Sequence, residues 1–141
     1  MSNSLIEAAG KFNFKLKIGC PKKYSPNKSI LKLAKKERIK LTITSKPLEA
    51  VEGADCVMTD KWISMNDKVN KASKKKILKP YQVNKKLMSN ANSDAIFMHC
   101  LPVGRGEEVT NEVIDGKQSV VWRQALNRVH AQKSIIKWCL D

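Results

Sequence analysis

The sequence lacks any apolar run close to the ~20 residues that cross a bilayer, and no basic segment precedes an apolar core within residues 1–14. Its four cysteines are far apart and form no Cys-x-x-Cys pair, which argues against a disulfide framework and against a zinc site. It contains no Gly-x-Gly-x-x-Gly, so a dinucleotide site is not supported. We therefore expect a cytoplasmic protein without a membrane partner, a signal peptide or a bound metal.

Aromatic residues are scarce, at 6% of the chain, although the formal net charge is +14. Such a charge suggests a polyanionic partner such as nucleic acid. The excess of positive charge is spread along the chain, however. The first 50 residues carry 12 basic and 3 acidic side chains, and residues 101–141 carry 6 basic and 5 acidic ones. Few aromatic side chains are interleaved to stack on bases. We favour a solvated lysine-rich surface, expect no nucleic-acid partner, and keep a basic polyanion-binding module as an alternative.

Helical and extended patterns alternate along the chain. Four short segments are typical of strands, at residues 15–20, 40–44, 55–59 and 95–98. Helical patterns lie between and around them, near residues 5–12, 27–34, 47–51, 84–90 and 121–140. For residues 60–79 we predict a long loop with some helix.

This alternation predicts one α/β domain over residues 1–141, with a Rossmann-like parallel sheet covered by helices on both faces. A doubly wound domain normally starts with a strand, whereas this chain opens on a helical pattern. We therefore expect the sheet to lack its first strand.

Chemically capable side chains follow the third and fourth predicted strands. Asp60 ends the third strand, and the run His99-Cys100-Leu101-Pro102 ends the fourth. The carboxyl ends of parallel strands meet at one rim of a sheet, where ligands bind. A carboxylate can hold an ammonium group, a histidine can donate to a carbonyl oxygen, and a thiol can act as an acid, a base or a nucleophile. Taken singly, Asp60 could instead cap a helix, Cys100 could fill the core, and His99 could be a structural residue.

The predicted tail helix has one apolar stripe at ~100° per residue. Its members are Trp122, Ala125, Leu126, Val129, Ile136 and Leu140. Arg128 lies about 120° from the centre of that stripe on the same geometry. It therefore faces either the edge of the crevice or solvent.

In combination these motifs resemble the ornithine-binding half of the ornithine carbamoyltransferase family. The resemblance covers essentially the whole chain. Its most specific parts are Asp60-x-Trp62-x-Ser64-Met65, the run from Asp94 to Pro102, Arg105-Gly106-Glu107-Glu108-Val109-Thr110, and Asn127-Arg128-x-His130.

The resemblance implies that the neutral δ-amine of L-ornithine attacks the carbonyl carbon of carbamoyl phosphate, which gives citrulline and phosphate. It implies that Asp60, Ser64 and Met65 hold the α-amino and α-carboxylate end of ornithine, with Cys100 beside them. Cys100 points to a diamine-type acceptor, because relatives that use aspartate carry another residue there. The family pattern has glycine after Ser-Met, where this chain has Asn66, and we expect a modest effect on that loop.

At the carbamoyl phosphate end, the resemblance implies a set formed by His99, Cys100, Leu101 and Arg128. His99 and Arg128 would donate to the carbamoyl oxygen, which gains negative charge in the transition state, and the Leu101 carbonyl would orient the carbamoyl nitrogen. Cys100 would not form a covalent intermediate. No metal or other cofactor is implied, because phosphate is already a good leaving group.

Family members also have an N-terminal domain with a Ser-Thr-Arg-Thr phosphate-binding loop, and they form homotrimers. Neither the loop nor that domain is recognisable in this sequence. We therefore expect this chain to need an N-terminal-half partner for activity, and we keep an inactive truncated fragment as the alternative.

Overall fold

Four short strands form the centre of the fold in the computed structural model, which describes residues 1–63 and 70–141. They are β1 (Leu16–Gly19), β2 (Leu41–Thr44), β3 (Cys56–Thr59) and β4 (Ile96–His99). β1 pairs with β2 in parallel, with Leu16 opposite Leu41. β3 pairs with β4 in parallel, with Cys56 opposite Ile96. The predicted α/β class with parallel strands is confirmed.

Seven α-helices surround the strands in the described part of the chain. They are α1 (Ser2–Phe12), α2 (Lys28–Lys36), α3 (Pro47–Val51), α4 (Lys71–Leu78), α5 (Lys85–Met88), α6 (Asn111–Ile114) and α7 (Val121–Leu140). Two 3₁₀ turns lie at Lys22–Tyr24 and Lys79–Tyr81. None of the helices among these residues is long and apolar enough to cross a membrane.

Asparagine side chains start three of the helices. Asn27 accepts a hydrogen bond from the Ile30 amide at 3.0 Å, and Asn84 accepts one from the Leu87 amide at 2.9 Å. Asn70 does the same at the start of α4. Each bond satisfies one of the amides that a first helical turn leaves without a partner.

The core forms two clusters. The larger lies around β3 and β4, where Val57, Phe97, Val109 and Ile114 are buried. The smaller lies between α1 and α2, around Ile6.

The strands form two separate two-stranded sheets, β1–β2 and β3–β4, in the described residues. The inner edges of β1 and β3 line the same two cavities. Among the described residues, β1 and β3 are therefore not paired with each other.

The tail helix α7 ends where the sequence predicts, but its apolar stripe is not covered by the described residues. Trp122 is 60% exposed and Leu140 is 82% exposed. Only Val121 of this helix is buried.

Candidate active site

Asp60 and Cys100 meet at the carboxyl ends of the two neighbouring strands. The register places Thr59 opposite His99, so the residues that follow them leave the sheet side by side. The Cys100 thiol donates a hydrogen bond from Sγ to Asp60 Oδ1 at 3.0 Å. The Lys61 amide donates to the same oxygen at 2.7 Å. The predicted proximity of Asp60 and Cys100 is confirmed.

Asp60 also borders open space. It is half-buried and lines a cavity of about 300 Å³ between β1 and β3. Within the described part of the chain, its Oδ2 accepts no hydrogen bond, whereas Oδ1 accepts two. A carboxylate in this arrangement can receive a cationic group of a small ligand.

The environment of Cys100 holds its thiol in the protonated form. Removal of solvent around the sulfur, followed by the hydrogen bond to Asp60 and the charge of that carboxylate, raises the pKa of Cys100 to about 11. The thiolate, rather than the thiol, is the reactive nucleophile. Cys100 is therefore suited to contact a ligand and donate a hydrogen bond, and poorly suited to covalent catalysis at neutral pH.

His99 lies inside the protein, whereas the resemblance implies that its ring donates to a substrate oxygen. The ring is fully buried. Its Nδ1 accepts a hydrogen bond from the Leu101 amide at 2.9 Å, which puts the ring proton on Nε2. Nε2 in turn lies 3.3 Å from Glu108 Oε1. Both nitrogens face protein groups, and neither is presented to the crevice.

Glu108 lies beside His99, and no sequence motif singles it out. Its carboxylate is fully buried, and Oε1 accepts a hydrogen bond from the Gly104 amide. Its neighbour Glu107 is more exposed and pairs with Lys75 at 2.6 Å. Two adjacent glutamates in a loop give no periodic signal that separates the buried one from the exposed one.

The turn after Cys100 is held in a rarely used conformation. Leu101 has φ +53° and precedes Pro102 through a cis peptide bond. A left-handed conformation costs a residue other than glycine about 1–2 kcal/mol. The bond from the Leu101 amide to His99 stabilises it, so the buried His99–Glu108 pair supports the backbone next to Cys100.

Arg128 is an exposed residue of α7. One turn before it, Gln124 Oε1 accepts a hydrogen bond from the His99 amide at 3.0 Å. Residues four apart lie on the same side of a helix, so Arg128 is on the side of α7 that meets the end of β4. Arg105 is already engaged, because it forms two hydrogen bonds with Asp115, at 2.5 and 2.9 Å.

Ser64, Met65 and Asn66, which the resemblance places at the amino-acid end of ornithine, lie outside the described residues. The segment leading to them begins at the rim, where Trp62 is buried.

Comparison with known proteins identifies the family. Residues 1–139 match the family described as "Aspartate/ornithine carbamoyltransferase, Asp/Orn binding domain". An ornithine carbamoyltransferase of Rhodopseudomonas palustris is 57% identical over 137 residues, which are 97% of this chain and 44% of that protein. One from Bradyrhizobium diazoefficiens is 51% identical over 98% of this chain and 45% of that protein.

Solved structures agree. The anabolic ornithine carbamoyltransferase of Campylobacter jejuni superposes with a TM-score of 0.92 at 34% identity, covering 98% of this chain and 47% of that one. The enzyme of Pyrococcus furiosus gives 0.87 at 40% identity, covering 96% of this chain and 45% of that one. The chain thus spans less than half the length of these relatives. It belongs to the aspartate/ornithine carbamoyltransferase family and corresponds to the Asp/Orn-binding domain.

Proposed function

We propose that this chain provides the ornithine-binding part of a carbamoyltransferase that makes citrulline and phosphate from L-ornithine and carbamoyl phosphate. The neutral δ-amine of ornithine attacks the carbonyl carbon of carbamoyl phosphate. A C–N bond forms, the C–O bond to phosphate breaks, and the amine loses a proton. The observation that carries the proposal is the Cys100–Asp60 hydrogen bond of 3.0 Å at the sheet rim.

The amino-acid end of ornithine carries an ammonium and a carboxylate. In the proposal, Asp60 accepts hydrogen bonds from the ammonium, and Cys100 lies beside it as a neutral contact. Ser64 and Met65 follow Trp62 along the chain and complete this end. An aspartate acceptor would bring a second carboxylate toward Asp60, so the rim favours ornithine on electrostatic grounds.

At the reacting end, Arg128 donates to the carbamoyl oxygen, because a fixed cation there stabilises the negative charge that develops in the transition state. The Leu101 carbonyl orients the carbamoyl nitrogen, and Cys100 borders this group as well. In the proposal, His99 has no direct role toward substrate, and it stabilises the backbone at Leu101.

The phosphate end requires more than this chain offers in its described residues. A phosphate dianion needs several charged or backbone donors, whereas Arg105 is paired with Asp115 and Arg128 serves the carbamoyl group. We propose that the part of the relatives that this chain does not match supplies these donors and closes the site as a partner. Assembly into a homotrimer is proposed with it.

The cysteines support a cytoplasmic setting for this activity. None of the four forms a disulfide, as is usual for proteins in a reducing compartment.

The test is citrulline formation by the purified chain, alone and mixed with the unmatched remainder of the Rhodopseudomonas palustris relative. We expect turnover only in the mixture, with ornithine as acceptor and not aspartate. The same remainder without this chain is the control. If the mixture folds and associates but makes no citrulline, the chain is an inactive fragment. Salt-sensitive DNA binding would favour the polyanion-binding alternative instead.

A further inference from the structure

The chain segments that follow β3 and β4 are in contact at both of their ends. We call them the β3 segment (residues 60–63 and 70–82) and the β4 segment (residues 100–109). At the rim, the Cys100 thiol donates a hydrogen bond to the Asp60 carboxylate. At the far ends, side chains of the β3 segment hold the β4 segment. The relative position of the two segments is therefore set at two places.

Three contacts join the segments at the far ends. Gln82 Nε2 donates to the carbonyls of Gly106 and Glu107, each at 2.7 Å. Lys75 Nζ of α4 lies 2.6 Å from Glu107 Oε1. We call these three contacts the clamp. Because the ion pair and the two hydrogen bonds start from different turns of the β3 segment, they resist both separation and sliding of the segments.

Backbone hydrogen bonds lie next to the clamp. The Val83 amide donates to the Glu108 carbonyl at 2.9 Å, and the Thr110 amide donates to the Val83 carbonyl at 3.0 Å. These bonds use no side-chain atom of the clamp. They therefore remain available when a clamp side chain is shortened, and the clamp can be tested in a folded protein.

The β4 segment is braced between the clamp and the rim. Glu108, the neighbour of Glu107, accepts a hydrogen bond from the Gly104 amide. It also lies 3.3 Å from His99 Nε2, and His99 Nδ1 accepts from the Leu101 amide. Buried side chains thus connect the clamp to the turn at the rim, and a constraint on Glu107 also constrains that turn.

On the other side of the clamp, α4 begins a few residues after Ser64 and Met65 in the sequence. Asn70 caps its first turn by accepting from the Ser73 amide at 3.1 Å. Lys75 lies in the next turn. Fixing Lys75 to the β4 segment therefore fixes the start of α4, which follows two residues that the proposed function places at the amino-acid end of ornithine.

We propose that Lys75, Gln82 and Glu107 are positioning residues for ornithine, which set the separation of the two segments without contacting substrate. The inference rests on the proposed function, in which ornithine is contacted from both segments, by Asp60 on one and by Cys100 on the other. A looser separation makes it harder to form all of these contacts at once. The affinity for ornithine should therefore depend on the clamp.

The carbamoyl group provides the contrast. Its proposed contacts are the Leu101 carbonyl and Arg128, and both are connected to His99. Leu101 donates its amide to the His99 ring, and the His99 amide donates to Gln124, one turn before Arg128. A change in the separation of the segments leaves these two contacts together. The clamp should therefore act selectively on ornithine.

The test measures steady-state citrulline formation by this chain mixed with the unmatched remainder of the Rhodopseudomonas palustris relative. Gln82→Ala should raise the KM for ornithine by about 5–10-fold, because two hydrogen bonds are lost. Lys75→Gln should raise it by about 2–5-fold, because a partly exposed ion pair is a weaker constraint. In both variants, kcat and the KM for carbamoyl phosphate should change little. Lys76→Gln, at an exposed lysine of the same helix, is the control and should match the parent.

A charge exchange tests the ion pair itself. Lys75→Glu places two carboxylates face to face and should raise the KM for ornithine more than Lys75→Gln does. Adding Glu107→Lys restores opposite charges in the reverse order and should recover most of the loss. A double variant whose KM for ornithine is no lower than that of Lys75→Glu would contradict the role of the pair.

An unchanged KM for ornithine in active Gln82→Ala and Lys75→Gln mixtures would overturn the proposal. A joint change in kcat, in both KM values and in the Tm would also overturn it, because that result shows a structural role alone. A parent mixture that makes no citrulline contradicts the proposed function instead, and amide exchange in the chain alone then decides the role of the clamp.

Amide exchange measured by NMR in the purified chain tests the clamp apart from catalysis. Glu107→Gln weakens the ion pair from the β4 side, so the Ser73 amide at the start of α4 should exchange about 2–5-fold faster. The Ile96 amide, which is bonded within the β3–β4 pair, should be unchanged. Glu112→Gln, at an exposed carboxylate of α6, is the control variant. Equal Ser73 exchange in the two variants would overturn the proposal, and so would an equal acceleration at Ile96.

Discussion

Glu108 Oε1 lies 3.3 Å from His99 Nε2, and both side chains are completely buried. The other ring nitrogen, Nδ1, accepts from the Leu101 amide. A buried carboxylate in the loop after β4 is thereby linked, through one imidazole ring, to the backbone beside Cys100. The histidine of the rim is part of the scaffold, and Cys100 and Asp60 are the groups that it helps to present.

Replacing Glu108 tests this scaffold in the isolated chain. Glu108→Ala leaves the buried Gly104 amide without its acceptor and removes the carboxylate that lies 3.3 Å from His99 Nε2, so we expect the unfolding free energy to fall by about 1–3 kcal/mol. Urea denaturation measures it. The matched variant Glu107→Ala removes only a partly exposed pair with Lys75 and should cost about 0–1 kcal/mol. Equal losses in the two variants would contradict the scaffold role.

The thiol of Cys100 should lose its proton only at high pH. Its pKa is raised to about 11 by loss of solvent and by Asp60, so it is protonated below that pH and its alkylation rate should rise only near pH 11. Asp60→Asn removes the negative charge that disfavours the thiolate, so the pKa should fall and alkylation should accelerate at pH 9–10. The measurement is iodoacetamide labelling against pH in a variant that keeps Cys100 as its one cysteine. A titration near the ordinary value, unaffected by Asp60→Asn, would argue against the contact.

Arg128 should act on the rate rather than on folding. In a fusion of this chain to the unmatched remainder of the Rhodopseudomonas palustris relative, called the fusion enzyme below, we expect Arg128→Ala to lower kcat by about 10²–10³-fold, because a donor to the developing oxyanion is lost. Arg123→Ala, another exposed arginine of α7, is the control and should leave kcat unchanged. Steady-state kinetics with saturating ornithine and carbamoyl phosphate measures both. Equal kcat values for the Arg128 and Arg123 variants would contradict a role of Arg128 in the reaction.

The sequence predicts the sheet ends better than the loops. Alternation of apolar and polar residues predicts β1, and a short apolar run predicts β4. The rule that parallel strand ends converge predicts that Asp60 and Cys100 meet, which the structure confirms. Where α4 lies, the sequence predicts only a long loop with some helix, because lysines dominate this segment and leave no apolar period. The four residues of α6 are too few to give any periodic signal.

His99 shows that a suitable residue type at a predicted strand end does not by itself establish a role toward substrate. Its position at the strand end is as predicted, but the direction of its ring depends on Glu108, nine residues later across a turn. That turn includes Leu101 and Gly106, both with positive φ. Backbone reversals of this kind carry no periodic pattern, so the buried pair emerges only from the fold.

In the proposed function, Asp60 and Cys100 hold the amino-acid end of ornithine. The most direct measurement is the KM for ornithine of the fusion enzyme carrying Asp60→Asn, against Asp94→Asn, an exposed carboxylate at the opposite end of β4. Losing a charged hydrogen bond costs about 1.5–3 kcal/mol, so we expect the KM for ornithine to rise by about 10–100-fold in Asp60→Asn. The KM for carbamoyl phosphate should change little, and Asp94→Asn should behave like the parent. An unchanged ornithine KM in a folded, active Asp60→Asn enzyme would contradict it.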